Sequence, residues 1–173
     1  AVTGVAEDQL VSHMSWATFL FQDMVLLRLD GRNPFDNSAT VYSGSSDDAA
    51  LNAGVQRFSA DPEGVALLAY DADLTGQITR PTLTLHALHD PTVSVSAEAI
   101  YAGTVAAAGR SHWLVQAVTD ESDHSKLSDA SYMTALDALE GWIDRGLAPD
   151  PASFQTRCRT NWVRQGPCLF ITP

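Results

Sequence analysis

The chain has 173 residues, 45% of them hydrophobic, enough for a domain with a core of its own. A net charge of −11 and a pI near 4.5 argue against nucleic acid, whose binding rests on clustered Lys and Arg, and against an anionic membrane surface. No apolar run approaches the ~20 residues of a membrane span.

Ala1-Val-Thr-Gly reads as a processed or trimmed end, with neither an initiator Met nor a signal peptide. Ala1 also lacks the nucleophilic side chain that a self-cleaving hydrolase of the N-terminal nucleophile type exposes. Glu7 to Leu29 is expected to form one long helix. Its apolar positions, among them Leu10, Met14, Phe19 and Met24, spread wider than a single stripe. Asp30-Gly31-Arg32-Asn33-Pro34 supplies the stop. A polar loop spans Phe35 to Asp48, Ala49 to Ala60 is helix-like, and Asp61-Pro62-Glu63 opens a short helix through Leu68.

After the turn-rich Asp71-Ala-Asp-Leu-Thr-Gly76 the pattern changes to alternating strand and helix. Pro81 to Leu88 reads as a strand, Ser96 to Ala108 as a helix stopped by Gly109, and His112 to Val118 as a second strand. An acidic loop runs from Thr119 to Leu127. Ser128-Asp129 caps a last helix to Arg145, ended by Gly146 and Pro149. Its Met133, Leu136, Leu139, Trp142 and Ile143 keep 3-and-4 spacing and are expected to form its core face. Strand, helix, strand, helix implies parallel pairing through helical crossovers, an α/β class. The tail from Asp150 is expected to be loop-rich. Cys158 and Cys168 have nine residues between them, with Gly166-Pro167 as a turn just before the second. We expect a disulfide there, which stabilises the tail and implies an oxidising, extracellular compartment. Free thiols are the alternative.

Two positions carry chemistry. An acyl-transfer triad needs a nucleophile, an imidazole base and a carboxylate that fixes the imidazole tautomer. The carboxylate belongs where a strand runs out, because ligands bind at that edge of an open α/β sheet. Asp90 follows the first strand and precedes Pro91. His124, thirty-four residues later, lies in the loop after the next strand. Acid then histidine is the order of the last two triad members in an α/β-hydrolase, but the G-x-S-x-G elbow that carries the nucleophile is absent from these residues. Ser43-Gly44-Ser45-Ser46 does not replace it: only one flanking Gly is present and no strand precedes it.

His86, His89 and Asp90 form a rival H-x-x-H-D constellation. Positions three apart on a strand point to opposite faces, so the two histidines do not suit one zinc. No metal and no cofactor are expected. His86 is expected as a buried strand residue and His89 as a rim residue beside the acid. Trp16, Phe19 and Tyr42 are candidates for an apolar substrate pocket; ordinary packing is the other reading.

The 76 residues from Leu74 to Pro149 resemble the C-terminal part of bacterial α/β-hydrolases of the serine esterase and peptidase type. The resemblance is carried by Thr75-Gly76, by Pro81-Thr-Leu-Thr-Leu-His86 leading into Asp90-Pro91-Thr92-Val93, and by Ala135-Leu136-Asp137-Ala138-Leu139-Glu140-Gly141-Trp142 followed by Gly146 and Pro149. Where the family usually has Gly before the base, this chain has Asp123. Residues 1–73 resemble the helical cap of such enzymes more loosely.

The resemblance implies a cap over 1–73, core strands and helices over 74–149, and a tail over 150–173. It implies the C-terminal portion of an α/β-hydrolase fold whose sheet is completed by another chain. It also implies a carboxylic ester hydrolase in which this chain supplies the acid and the base. A second polypeptide with the G-x-S-x-G serine would be the partner, and a small ester or acyl compound the substrate. A peptidase of the same fold, a non-catalytic acidic binding domain with a half-hydrolase fold, and a nicked piece of one ordinary hydrolase stand as alternatives.

Overall fold

The computed structural model describes residues 7–171; the expected processed end lies outside them. The chain divides into two compact units, residues 1–74 and 75–173.

In the first unit a 3-10 turn, Glu7–Gln9, leads into α1, Leu10–Phe21. The helix then widens into a π-helix, Gln22–Arg28. There the Leu29 N–H reaches back five residues to the Met24 carbonyl at 3.0 Å. The expected stop is made by Asp30 and Gly31, at φ of 52° and 81°. Val25 and Leu29 are buried, while Val11, Phe19 and Leu27 are exposed.

The next helix, α2, is Asp48–Gly54, with the Asp47 carboxylate accepting from the Ala50 N–H. It stops short of the expected Ala60 because Asn37 engages the chain beyond it. Asn37 Oδ1 accepts from the Phe58 N–H at 2.6 Å and its Nδ2 donates to the Gln56 carbonyl at 2.9 Å. Those backbone groups are then unavailable to a helix. α3 runs over Pro62–Ala72, beyond the expected Leu68, and is capped by Asp61.

The second unit contains β1 (Thr82–Ala87), α4 (Ser96–Ala107), β2 (Leu114–Thr119), α5 (Asp129–Arg145) and α6 (Phe154–Asn161). β1 and β2 pair in parallel from Thr82↔Leu114 to Ala87↔Thr119, with α4 as the crossover. This is a mixed helix-and-strand arrangement compatible with the α/β class. β2 starts at Leu114 rather than His112 because Ser111–Trp113 close a 3-10 turn first. Gly76, at φ 67°, sits so close to α4 that a Cβ there would overlap the Thr104 carbonyl, so only glycine fits.

α5 has the expected ends. Ser128 Oγ accepts from the Ser131 N–H, and Gly146 is left-handed at φ 70°. Its core face is only partly the expected one: Trp142 is buried and Leu139 packs against the cluster. Ala130, Ser131, Thr134, Ala135, Ala138, Gly141 and Trp142 are buried, whereas Leu136 and Ile143 are 54% and 61% exposed. Small side chains let the helix approach closely, and the cluster forms around Val115, Ala117, Trp142 and Phe154. Spacing alone selects the larger residues; here small ones fill the face beside Trp142 and Leu139.

The tail is also more ordered than expected. α6 buries Phe154 and Cys158, and the Phe154 and Phe170 rings lie 5.5 Å apart. Cys158 and Cys168 form a disulfide with Cα atoms 5.8 Å apart, which is compatible with an extracellular protein. An antiparallel bridge joins Phe170 to Thr119. The Ile171 N–H donates to the Val118 carbonyl at 2.9 Å and the Asp120 N–H to the Leu169 carbonyl at 2.8 Å. The tail thus lies against the outer edge of β2. Among the described residues no strand pairs with the other edge of β1, and no helix is long and apolar enough to cross a membrane.

Two outcomes are expected. Ala138→Leu should destabilise the fold by about 1–3 kcal/mol through overpacking, whereas Leu136→Ser should change it by about 0.5 kcal/mol or less; urea denaturation monitored by tryptophan fluorescence measures both. Reducing the disulfide should cost about 2–4 kcal/mol, read as a lower melting temperature with dithiothreitol.

Candidate active site

Asp90 and His124 meet at the C-terminal ends of the two strands. The link begins in the backbone. The Leu88 N–H donates to the Thr119 carbonyl at 2.8 Å and the His89 N–H to the Glu121 carbonyl at 3.1 Å. The loops after β1 and β2 are thereby stitched side by side. Glu121 ties the second loop to α5 as well: its carboxylate accepts from the Ser128 N–H at 2.7 Å and from Ser131 Oγ at 3.1 Å. A negative charge suits that helix N-terminus.

Asp90 turns back on its own loop. Its Oδ1 accepts from the Thr92 and Val93 N–H groups at 2.7 and 2.9 Å, an Asx turn that Pro91 favours. Its Oδ2 lies 2.8 Å from His124 Nδ1. A carboxylate only accepts, so Nδ1 carries the hydrogen and the neutral ring presents an unprotonated Nε2. Among the described residues nothing bonds to that Nε2, and the His124 side chain is 43% exposed, against 6% for Asp90. Ser125, next to His124, sits in the left-handed region at φ 56°, an uncommon conformation for a non-glycine residue.

Burial pushes the Asp90 carboxyl up. The hydrogen bond from His124, those from the Val93 and Thr92 backbone and the charge of His124 outweigh it, and hold the group below the ordinary value of 3.8. Asp90 and His124 line one cavity of about 330 Å³ with Leu85, Asp123, Leu127 and Tyr132. In chemical terms the arrangement is an oriented imidazole with a free base nitrogen, facing open space, backed by a buried carboxylate.

The other candidates are placed as follows. Trp16 and Phe19, on α1 in the first unit, meet edge-to-face with centroids 5.7 Å apart and line a surface depression with Ser12 and Ser15. Tyr42, also in the first unit, lines a different depression with Arg57. Its hydroxyl accepts from Asn37 Nδ2 at 3.1 Å, and the Arg57 guanidinium lies 5.4 Å from its ring. Ser45 Oγ donates to Asp48. His86 and His89 diverge onto different carboxylates: His86 Nε2 lies 3.9 Å from Asp90 Oδ2, and His89 Nε2 3.0 Å from Asp120 Oδ1. Among the described residues no group of three or more His, Cys, Asp or Glu is placed to hold a metal ion. The sequence reading missed Glu121 and Tyr132. Glu121 lies seven residues before the Ser128 cap and outside the usual capping spacing, and Tyr132, in the first turn of α5, has no sequence signature that places it at the cavity.

Compared with known proteins, the chain matches no family model, no curated protein and no solved structure.

A depressed carboxyl stabilises the fold above its ordinary pKa, and loses that contribution as pH falls through the folded value. The stability gap between the wild type and Asp90→Asn should therefore be full near neutrality and shrink below about pH 4. Urea midpoints measured across that range check it.

Proposed function

We propose that this chain is part of a serine hydrolase of the α/β type, most simply a carboxylic ester hydrolase. Asp90 is its triad acid and His124 its general base. The 2.8 Å contact between His124 Nδ1 and the buried Asp90 carboxylate, with Nε2 left open to a cavity, carries this reading.

The chemistry follows from the tautomer. His124 Nε2 takes the proton of an attacking serine hydroxyl and later returns it to the leaving group. Asp90 keeps the ring oriented and stabilises the imidazolium that forms. None of the hydroxyl or thiol groups among the described residues bonds to His124, so the nucleophile and its oxyanion hole would come from outside these residues. The unpaired edge of β1 supports a sheet that continues there, because an open edge otherwise invites indiscriminate pairing. The extracellular setting rests on the disulfide.

The test combines native mass spectrometry with a fluorophosphonate probe. The purified protein should carry one probe-reactive serine on a G-x-S-x-G segment outside these 173 residues. His124→Ala should lower kcat for a short-chain p-nitrophenyl ester by about 10³-fold or more. A lone, folded 18.6 kDa species with no probe labelling would overturn the proposal.

A further inference from the structure

The Asp90 carboxylate has a second imidazole beside it that the proposed triad does not use. His86, at the end of β1, is 12% exposed. Its Nδ1 lies 2.7 Å from the Ala87 carbonyl oxygen. A carbonyl only accepts, so Nδ1 carries the ring hydrogen. The same carbonyl also takes the Asp90 N–H at 3.4 Å. In the neutral ring Nε2 is then a lone pair, and it faces Asp90 Oδ2 at 3.9 Å. That is the oxygen that accepts from His124. The other Asp90 oxygen is filled by two backbone N–H groups.

We infer that His86 is a positioning residue for the Asp90–His124 pair: neutral, it leaves Oδ2 to His124, and protonated, it competes for that oxygen. A lone pair facing a carboxylate gains nothing, whereas an N–H⁺ there gains a charge-assisted contact. Two imidazolium rings would then share one carboxylate oxygen, so protonation of either opposes protonation of the other. The consequence for catalysis rests on the proposed hydrolase reading; the coupling itself does not.

The surroundings of His86 leave Asp90 as its partner. Asp123, His124 and Tyr132 line the same cavity, but Asp90 is the one carboxylate within ion-pair distance of His86 among the described residues. Glu98 of α4 is engaged by Thr84 and Gln116. His89 is turned to Asp120.

The experiment is an NMR titration of the imidazole signals in the full chain. The two rings protonate one after the other, and the second step bears the competition. In whichever of His86→Gln and His124→Gln lacks the first ring to protonate, the midpoint of the remaining ring should rise by about half a pH unit or more, while the other variant leaves its ring's midpoint in place. Asp90→Asn should lower both midpoints. Unchanged midpoints in both folded histidine variants would overturn the inference. Should His86→Gln fail to fold, an unchanged His86 midpoint in Asp90→Asn would overturn it equally. The titration needs neither nucleophile nor substrate. Failure of the hydrolase assignment would appear separately, as absent fluorophosphonate labelling. In an active enzyme His86→Gln should also make the acid limb of kcat less steep, an effect that loss of packing alone would not produce.

Discussion

Everything at the candidate site depends on the parallel register of β1 and β2. Ala87 stands opposite Thr119, so both strands end at the same level and their loops leave side by side. Two further backbone hydrogen bonds, from Leu88 and His89, extend the pairing past the strands. Asp90 and His124 are thirty-four residues apart in sequence, and closing a loop of that length costs conformational entropy. The sheet, α4 and the close approach at Gly76 meet that cost as part of folding. The Asp90 carboxylate and the His124 ring are therefore held together by the fold itself.

The two side chains are treated in opposite ways. Asp90 is buried, and a buried carboxylate is tolerable only when its oxygens have donors. Backbone N–H groups fill one oxygen and His124 the other. His124 remains half exposed with one nitrogen free. Under the proposed function this division fits an acid that orients and a base that reaches a reacting proton. The tail belongs to the same economy of edges. Phe170 and Ile171 cover the end of β2 beside this loop pair, and the disulfide and Phe154 hold them there.

Local signals in the sequence mark much of this frame. Ser128 and Gly146 delimit α5, Asp61-Pro62 opens α3, and Gly109 follows α4 because caps and stops act within a few residues. An aspartate after a strand and a histidine after the next strand are legible as candidates for the same reason. Signals that depend on distant partners are not. α2 stops at Gly54 because Asn37, far back in the chain, takes the backbone at 56 and 58. α5 buries its small residues because β2 and α6 leave room only for a close approach. The helix in the tail forms because Phe154 and Cys158 find a core that the preceding elements build.

By itself the sequence determined the alternation of elements, the acidic charge, the pair of cysteines and the kinds of side chain at 90 and 124. Those properties reside in composition, in local propensity and in the two periods of helix and strand. Only the tertiary structure decided which atoms of Asp90 face His124, that His86 turns to the same carboxylate oxygen while His89 turns to Asp120, and which stripe of α5 is core. Each of these is settled by strand register and packing between segments tens of residues apart, and a one-residue slip of register would reverse the faces of a strand.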